Sequence, residues 1–196
     1  MLQIKTKMDI NDLLRYYVLW TDVESAFVKN RENLDFFRNY LNYMRIIRNF
    51  KSGSSSNILK EVTNFTFEND GNHVQQFSDI LNKKELLNNK INKALVASSK
   101  ILWLFNQEII IMDNFNVSAL KEFNYKISEG NYDEYCTAWK TEYNKQSPVI
   151  KRICSQLKNQ QLDIELIQKE WFQKRIFDMF LWNATYQNNR YKTNDH

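Results

Sequence analysis

The chain has 196 residues, with 27 lysines and arginines against 23 aspartates and glutamates, a net charge of +4. Hydrophobic residues make up 43% and aromatic residues 14%, which is ample material for a core, so the composition argues against disorder and one compact unit is the default. Only three glycines and one proline occur. Walker-type loops, dinucleotide fingerprints and nucleophile elbows all need clustered glycine, so nucleotide-loop enzymes are excluded as well.

Lys5, Lys7, Asp9 and Asp12 stand where a secretory leader would be apolar, and the longest aliphatic run is Ile109 to Met112. The expectation is a cytoplasmic protein that neither enters nor binds a membrane. Cys136 and Cys154 are too few to staple the fold, and with His73 and His196 they make no metal-ligand pattern, so no metal and no cofactor are expected.

In chain order, Asp9 to Lys29 reads as a helix, capped at Asp9 or Asn11, with an apolar stripe of Ile10, Leu13, Leu14, Tyr17 and Val18. The next helix carries Leu34, Phe37, Leu41 and Met44 on one stripe. Phe36, Tyr40, Tyr43, Ile47 and Phe50 lie on an adjacent stripe, which predicts a broad buried face. Its remaining face places Arg31, Arg38 and Arg45 at seven-residue intervals. That ridge is either a solvated face paired with Asp35 or a line of cations for phosphates.

Lys51 to Asn57 is a flexible break that could divide the chain into 1–51 and 57–196, and Asn69-Asp70-Gly71-Asn72 is a second break. A short helix is expected over Ile58 to Phe67, and one or two more from His73 to Asn89 with a turn near Lys83-Lys84. Two stretches are basic: residues 29–51 and residues 83–100 each carry a net +4.

From Ile91 the period is again helical, with Ile91, Leu95, Ser98, Leu102 and Phe105 inward and Lys93 and Lys100 on a partly exposed edge. Ile109 to Met112 suits an extended segment, after which Asp113 or Asn114 caps a helix over Val117 to Phe123. Later helices run through Tyr135 and Trp139, from Ser147-Pro148 onward with proline in the first turn, and over Trp171 to Trp182. On the last of these, Trp171, Arg175, Asp178 and Trp182 share an arc. They form either a packing device or, with Trp103, a pocket suited to a base. The fold class expected is all-α.

The run Ser98-Ser99-Lys100-Ile101-Leu102-Trp103-Leu104-Phe105, followed by Ile109-Ile110-Ile111-Met112-Asp113, resembles the helix, apolar run and acidic cap of helix-hairpin-helix DNA glycosylases of the 8-oxoguanine type. The resemblance implies a DNA partner. It also implies an aspartate role for Asp113 in stabilising developing positive charge, and an amine nucleophile for which Lys93 and Lys100 are the nearby candidates. Aligning the two patterns puts Val96 at the family's lysine, and the glycine-rich hairpin of that family is missing. The resemblance therefore implies a degenerate relative in bacterial genome maintenance or defence; Arg31, Arg38 and Arg45 of the basic ridge, with Lys93 and Lys100, are the candidate nucleic-acid contacts. An active base-excision enzyme and a protein-interaction module are the alternatives.

Overall fold

A computed structural model describes residues 10–67, 72–88, 94–156 and 164–192 of the chain. Among the described residues the protein is all-α, with no strand and one isolated antiparallel bridge, Phe50 to Leu87. It divides into two compact units: residues 22–112 form one, and the segments 1–21 and 113–196 together form the other. The loop at 51–57 lies inside the contiguous unit and does not mark the division.

The first helical stretch holds α1 (Ile10–Leu19), a π-helical turn (Trp20–Glu24) and α2 (Ser25–Lys29). The Thr21 hydroxyl donates to the carbonyls of Tyr17 (3.0 Å) and Val18 (3.2 Å), competing with the ordinary backbone ladder. The border between the units falls within this turn.

The contiguous unit continues with α3 (Leu34–Tyr43), a 3-10 turn (Ile47–Asn49), α4 (Ser55–Thr63), α5 (His73–Lys83) and α6 (Leu95–Phe105). Asn33 starts α3, its side chain accepting from the Asp35 and Phe36 amides. Burial is narrower than the sequence pattern implies. Phe37, Tyr40, Leu41 and Met44 are buried, whereas Phe36 and Tyr43 are exposed, and Ile47 and Phe50 lie beyond the helix end. Helix α6 forms the centre, buried on nearly all sides from Leu95 to Leu104.

Three helices of this glycine-poor chain end in the same way. After α3, the Ile46 amide donates to the Leu41 carbonyl (2.9 Å) and the Arg45 amide to that of Asn42 (2.9 Å). After α5, Leu86 donates to Leu81 (3.0 Å) and Glu85 to Asn82 (2.9 Å). After α7 (Asn114–Glu122), Tyr125 donates to Leu120 (3.1 Å) and Asn124 to Lys121 (3.0 Å). Each is a Schellman closure with a left-handed residue at its corner, and those corners are Arg45 (φ 57°), Glu85 (φ 53°) and Asn124 (φ 68°) instead of glycine.

The other unit comprises α1, α7, α8 (Tyr132–Gln156), α9 (Ile164–Gln168) and α10 (Glu170–Lys192). Pro148 does not open a helix as its position suggested. It sits inside the continuous α8. The Asn144 carbonyl, which loses its amide donor at proline, accepts instead from the Ser147 hydroxyl (3.3 Å). Burial of Tyr135, Trp139, Tyr143, Ile150 and Ile153 along α8 outweighs the proline penalty of about 3 kcal/mol.

Candidate functional site

The predicted arginine ridge does not form. Arg31 lies before the Asn33 cap, half-buried, its guanidinium 5.8 Å from the Phe105 ring centre and donating to the Val28 carbonyl (3.3 Å). Arg38 is on α3, exposed and paired with Asp35 at 3.5 Å. Arg45 is past the end of the helix, at the left-handed corner. A seven-residue repeat aligns side chains only on one uninterrupted helix, and here α3 covers ten residues.

Lys100 is also placed differently from expectation. It is buried, and its Nζ donates to the Met44 carbonyl at 3.4 Å, while its own carbonyl accepts from the Tyr40 hydroxyl at 2.6 Å. A cation set against the C-terminal carbonyls of α3 is favoured by the helix dipole. Lys100 thus holds the end of α3 in place and presents no exposed edge for phosphates. Lys93 lies outside the described residues. Trp103 is buried in α6, in the core of the contiguous unit.

Asp113 stands at the N-terminus of α7, as the sequence indicated. Its carboxylate accepts from the Phe115 amide at 3.0 Å, which is a capping role.

On α10, Arg175 and Asp178 are both buried and paired at 3.6 Å. The second Asp178 oxygen accepts from Trp139 Nε1 at 2.8 Å, and the Arg175 guanidinium lies 5.7 Å from the Tyr16 ring centre. Burial, followed by the Asp178 charge, raises the Tyr135 hydroxyl well above its usual range. Trp171 packs on Trp20 at 4.4 Å, and Trp182 meets Phe115 edge-on at 5.4 Å, beside the Thr185 hydroxyl that donates to the Phe115 carbonyl. These four residues therefore knit α10 to α1, α7 and α8. Two open clefts of this unit, about 470 and 460 Å³, are lined by other residues.

The structure does bring together part of the two basic stretches, by a route the helical pattern did not show. The segments leaving α3 and α5 after their Schellman corners pair antiparallel. The Lys51 amide donates to the Leu86 carbonyl (3.0 Å) and the Asn88 amide to that of Asn49 (2.9 Å), with Phe50 and Leu87 buried. Arg45, Arg48 and Lys51 lie on the segment after α3, while Lys83 ends α5 and Lys84 follows it just before the paired segment, and all five are exposed. Lys51 pairs loosely with Glu85 (3.9 Å) and Lys84 with Glu61 (3.6 Å), so five cations against two carboxylates leave a local excess of +3. Exposed pairs of this kind are worth about 0 to 1 kcal/mol and exchange readily for another anion. Apolar pairs five residues apart, Leu41 with Ile46 and Leu81 with Leu86, were the sequence signal for these corners.

Such a surface can attract and hold a polyanion. Among the described residues no group of three or more His, Cys, Asp or Glu could hold a metal ion, and no helix is long and apolar enough to cross a membrane. Burial pushes the Cys136 and Cys154 thiols up to about 11, away from nucleophilic use at neutral pH. No protein-family model, no curated protein and no solved structure matches this chain.

Proposed function

We propose that the protein is a non-catalytic, nucleic-acid-associated helical protein that holds phosphates with the joined loops of its contiguous unit. The carrying observation is the loop pairing, which joins the segment carrying Arg45, Arg48 and Lys51 to the one that follows Lys83 and Lys84, all five residues being exposed. Phosphate contacts position a protein on nucleic acid without reading sequence, and flexible lysines and arginines on loops suffice for that. The resemblance of residues 98–113 to DNA glycosylases agrees with a DNA partner and with a cytoplasmic role in bacterial genome maintenance or defence. Base excision forms no part of the proposal, because the amine of Lys100 is buried against the Met44 carbonyl and Asp113 is occupied as a helix cap.

The test is binding to labelled DNA at two salt concentrations. Affinity is expected to fall steeply with salt, and Arg48→Ala and Lys83→Ala are each expected to flatten the log-log slope on duplex by about 0.9. A second reading, a protein-interaction module, is favoured by the carboxylates already paired with Lys51 and Lys84. Absence of salt-sensitive binding to any DNA would establish that reading in place of the first.

A further inference from the structure

We infer that the nucleic acid preferred by this surface is single-stranded, because α3 places an aromatic platform for unpaired bases beside the phosphate-binding loops. The inference rests on the nucleic-acid reading above and names the form of the ligand. Its observations are independent of the loop pairing. Phe36 and Tyr43 are 39% and 38% exposed, while the neighbouring Phe37 and Tyr40 are fully buried. Seven residues apart on one helix, the two exposed rings lie on the same face, separated by roughly 10.5 Å along the axis.

Tyr43 is braced for such use. Its ring packs at 5.5 Å against Phe27, which in turn meets Tyr40 edge-on at 5.5 Å, and its hydroxyl donates to buried Glu24 at 3.4 Å. A ring already held in place loses little conformational freedom when a base stacks on it. Arg45 follows two residues later, so its Cα is within roughly 7.6 Å of that of Tyr43. Base stacker and phosphate binder are thus within the reach of one or two nucleotides.

Charge is arranged accordingly. The exposed carboxylates of this segment, Glu32 and Asp35, lie toward the opposite end of α3, and Asp35 is paired with Arg38. The exposed charges that follow the Tyr43 end are the cations Arg45 and Arg48, the Glu24 carboxylate at the Tyr43 hydroxyl being buried. Bases within a duplex present only their edges, whereas an unpaired base presents a face that an aromatic ring can cover.

The experiment measures fluorescence anisotropy of an oligothymidylate strand and of a mixed-sequence duplex of equal length. The full chain is compared with Phe36→Ala, Phe36→Trp and Arg48→Ala, and the fold of each is verified by circular dichroism. The wild-type chain is expected to bind the single strand more tightly than the duplex. Phe36→Ala is expected to weaken the single strand roughly 5- to 100-fold while leaving the duplex unchanged. Phe36→Trp is expected to retain the preference, and Arg48→Ala to weaken both probes. Equal or tighter duplex binding overturns the inference. So does a Phe36→Ala variant with unchanged single-strand affinity, and in both cases the phosphate-binding reading stands if Arg48→Ala still weakens binding. Failure of both probes to bind in a salt-dependent way overturns the underlying reading and the inference with it.

Discussion

Replacing Glu85 by glycine is expected to stabilise the protein, although it deletes an ion pair. Glu85 sits at the corner of the Schellman closure after α5 with φ 53°, a region that costs an ordinary L-residue about 1 to 2 kcal/mol. Glycine removes that cost but adds about 0.5 to 1 kcal/mol of backbone entropy lost on folding. The side chain is 86% exposed and lies 3.9 Å from Lys51, so the pair contributes at most about 1 kcal/mol and is screened by salt. With the pair screened at moderate salt, the net expectation is a gain of about 0 to 1.5 kcal/mol. In a chain of 196 residues this corresponds to a rise of up to roughly 6 °C in melting temperature. Glu85→Ala is the control, since it deletes the same pair but keeps the Cβ in the left-handed region. Urea titrations of the three proteins, with matched slopes, measure the difference. Were Glu85→Gly no more stable than Glu85→Ala, the strain argument would be wrong.

Within α10, Asp178→Ala should cost about 3 to 5 kcal/mol in chemical denaturation, because it removes the buried carboxylate that pairs with Arg175 and accepts from the Trp139 N–H. A loss below about 1 kcal/mol would show that the cluster is hydrated and dispensable. Pro148→Ala should raise stability by about 1 to 3 kcal/mol by restoring an amide to the interior of α8, and an unchanged urea midpoint would contradict this. The thiols give a pH test. Burial raises Cys136 and Cys154 from 9.0 to about 11 in the folded state, so their contribution to stability is complete below the unfolded value. It is lost as pH rises through about 11, the folded state disfavouring thiolate. Alkylation of the native protein should accordingly remain slow at pH 9 and match the unfolded rate only in denaturant, whereas fast labelling at pH 8 would refute the assignment.

Much of the fold was legible in the chain because its helices carry strong 3.6-residue periods. Leu41, Phe37 and the α6 run from Leu95 to Leu104 are buried as their spacing implies, and Asp113 caps α7. Helix ends were less legible. A pattern of apolar positions continues from Phe36 to Phe50, but the chain leaves the helix at Tyr43 because the Asn42 and Leu41 carbonyls are taken by the closure through Arg45. Arginine at a left-handed corner is not a residue that announces a stop. For the same reason Arg31, Arg38 and Arg45 form no ridge, since a seven-residue repeat aligns side chains only along a helix that the backbone here does not continue. Pro148 misled in the other direction: its usual place is a first turn, yet burial along α8 kept the helix intact. Periodicity assigns Lys100 a face but not a partner, and the Met44 carbonyl that its amine meets lies 56 residues away in sequence. The joined basic loops depended on a pairing between segments that no local pattern records.

The division of the chain has a consequence for how the protein is made. Tyr16 and Trp20 leave the ribosome ahead of their partners Phe172 and Trp171, which are encoded about 150 residues later. At roughly 5 to 20 residues per second, α1 waits on the order of 10 to 30 s with its aromatic side chains uncovered. Residues 22–112, by contrast, form a contiguous unit that is complete well before then. Once that unit has folded, the chain between α1 and α7 is no longer a flexible loop of about 90 residues, and the entropy of bringing the two segments together falls accordingly. Early folding of the inserted unit thus shortens the effective search of the late one, and substitutions that slow the first, such as at Phe37 or Leu81, should lengthen the exposure of α1 to chaperones and proteases.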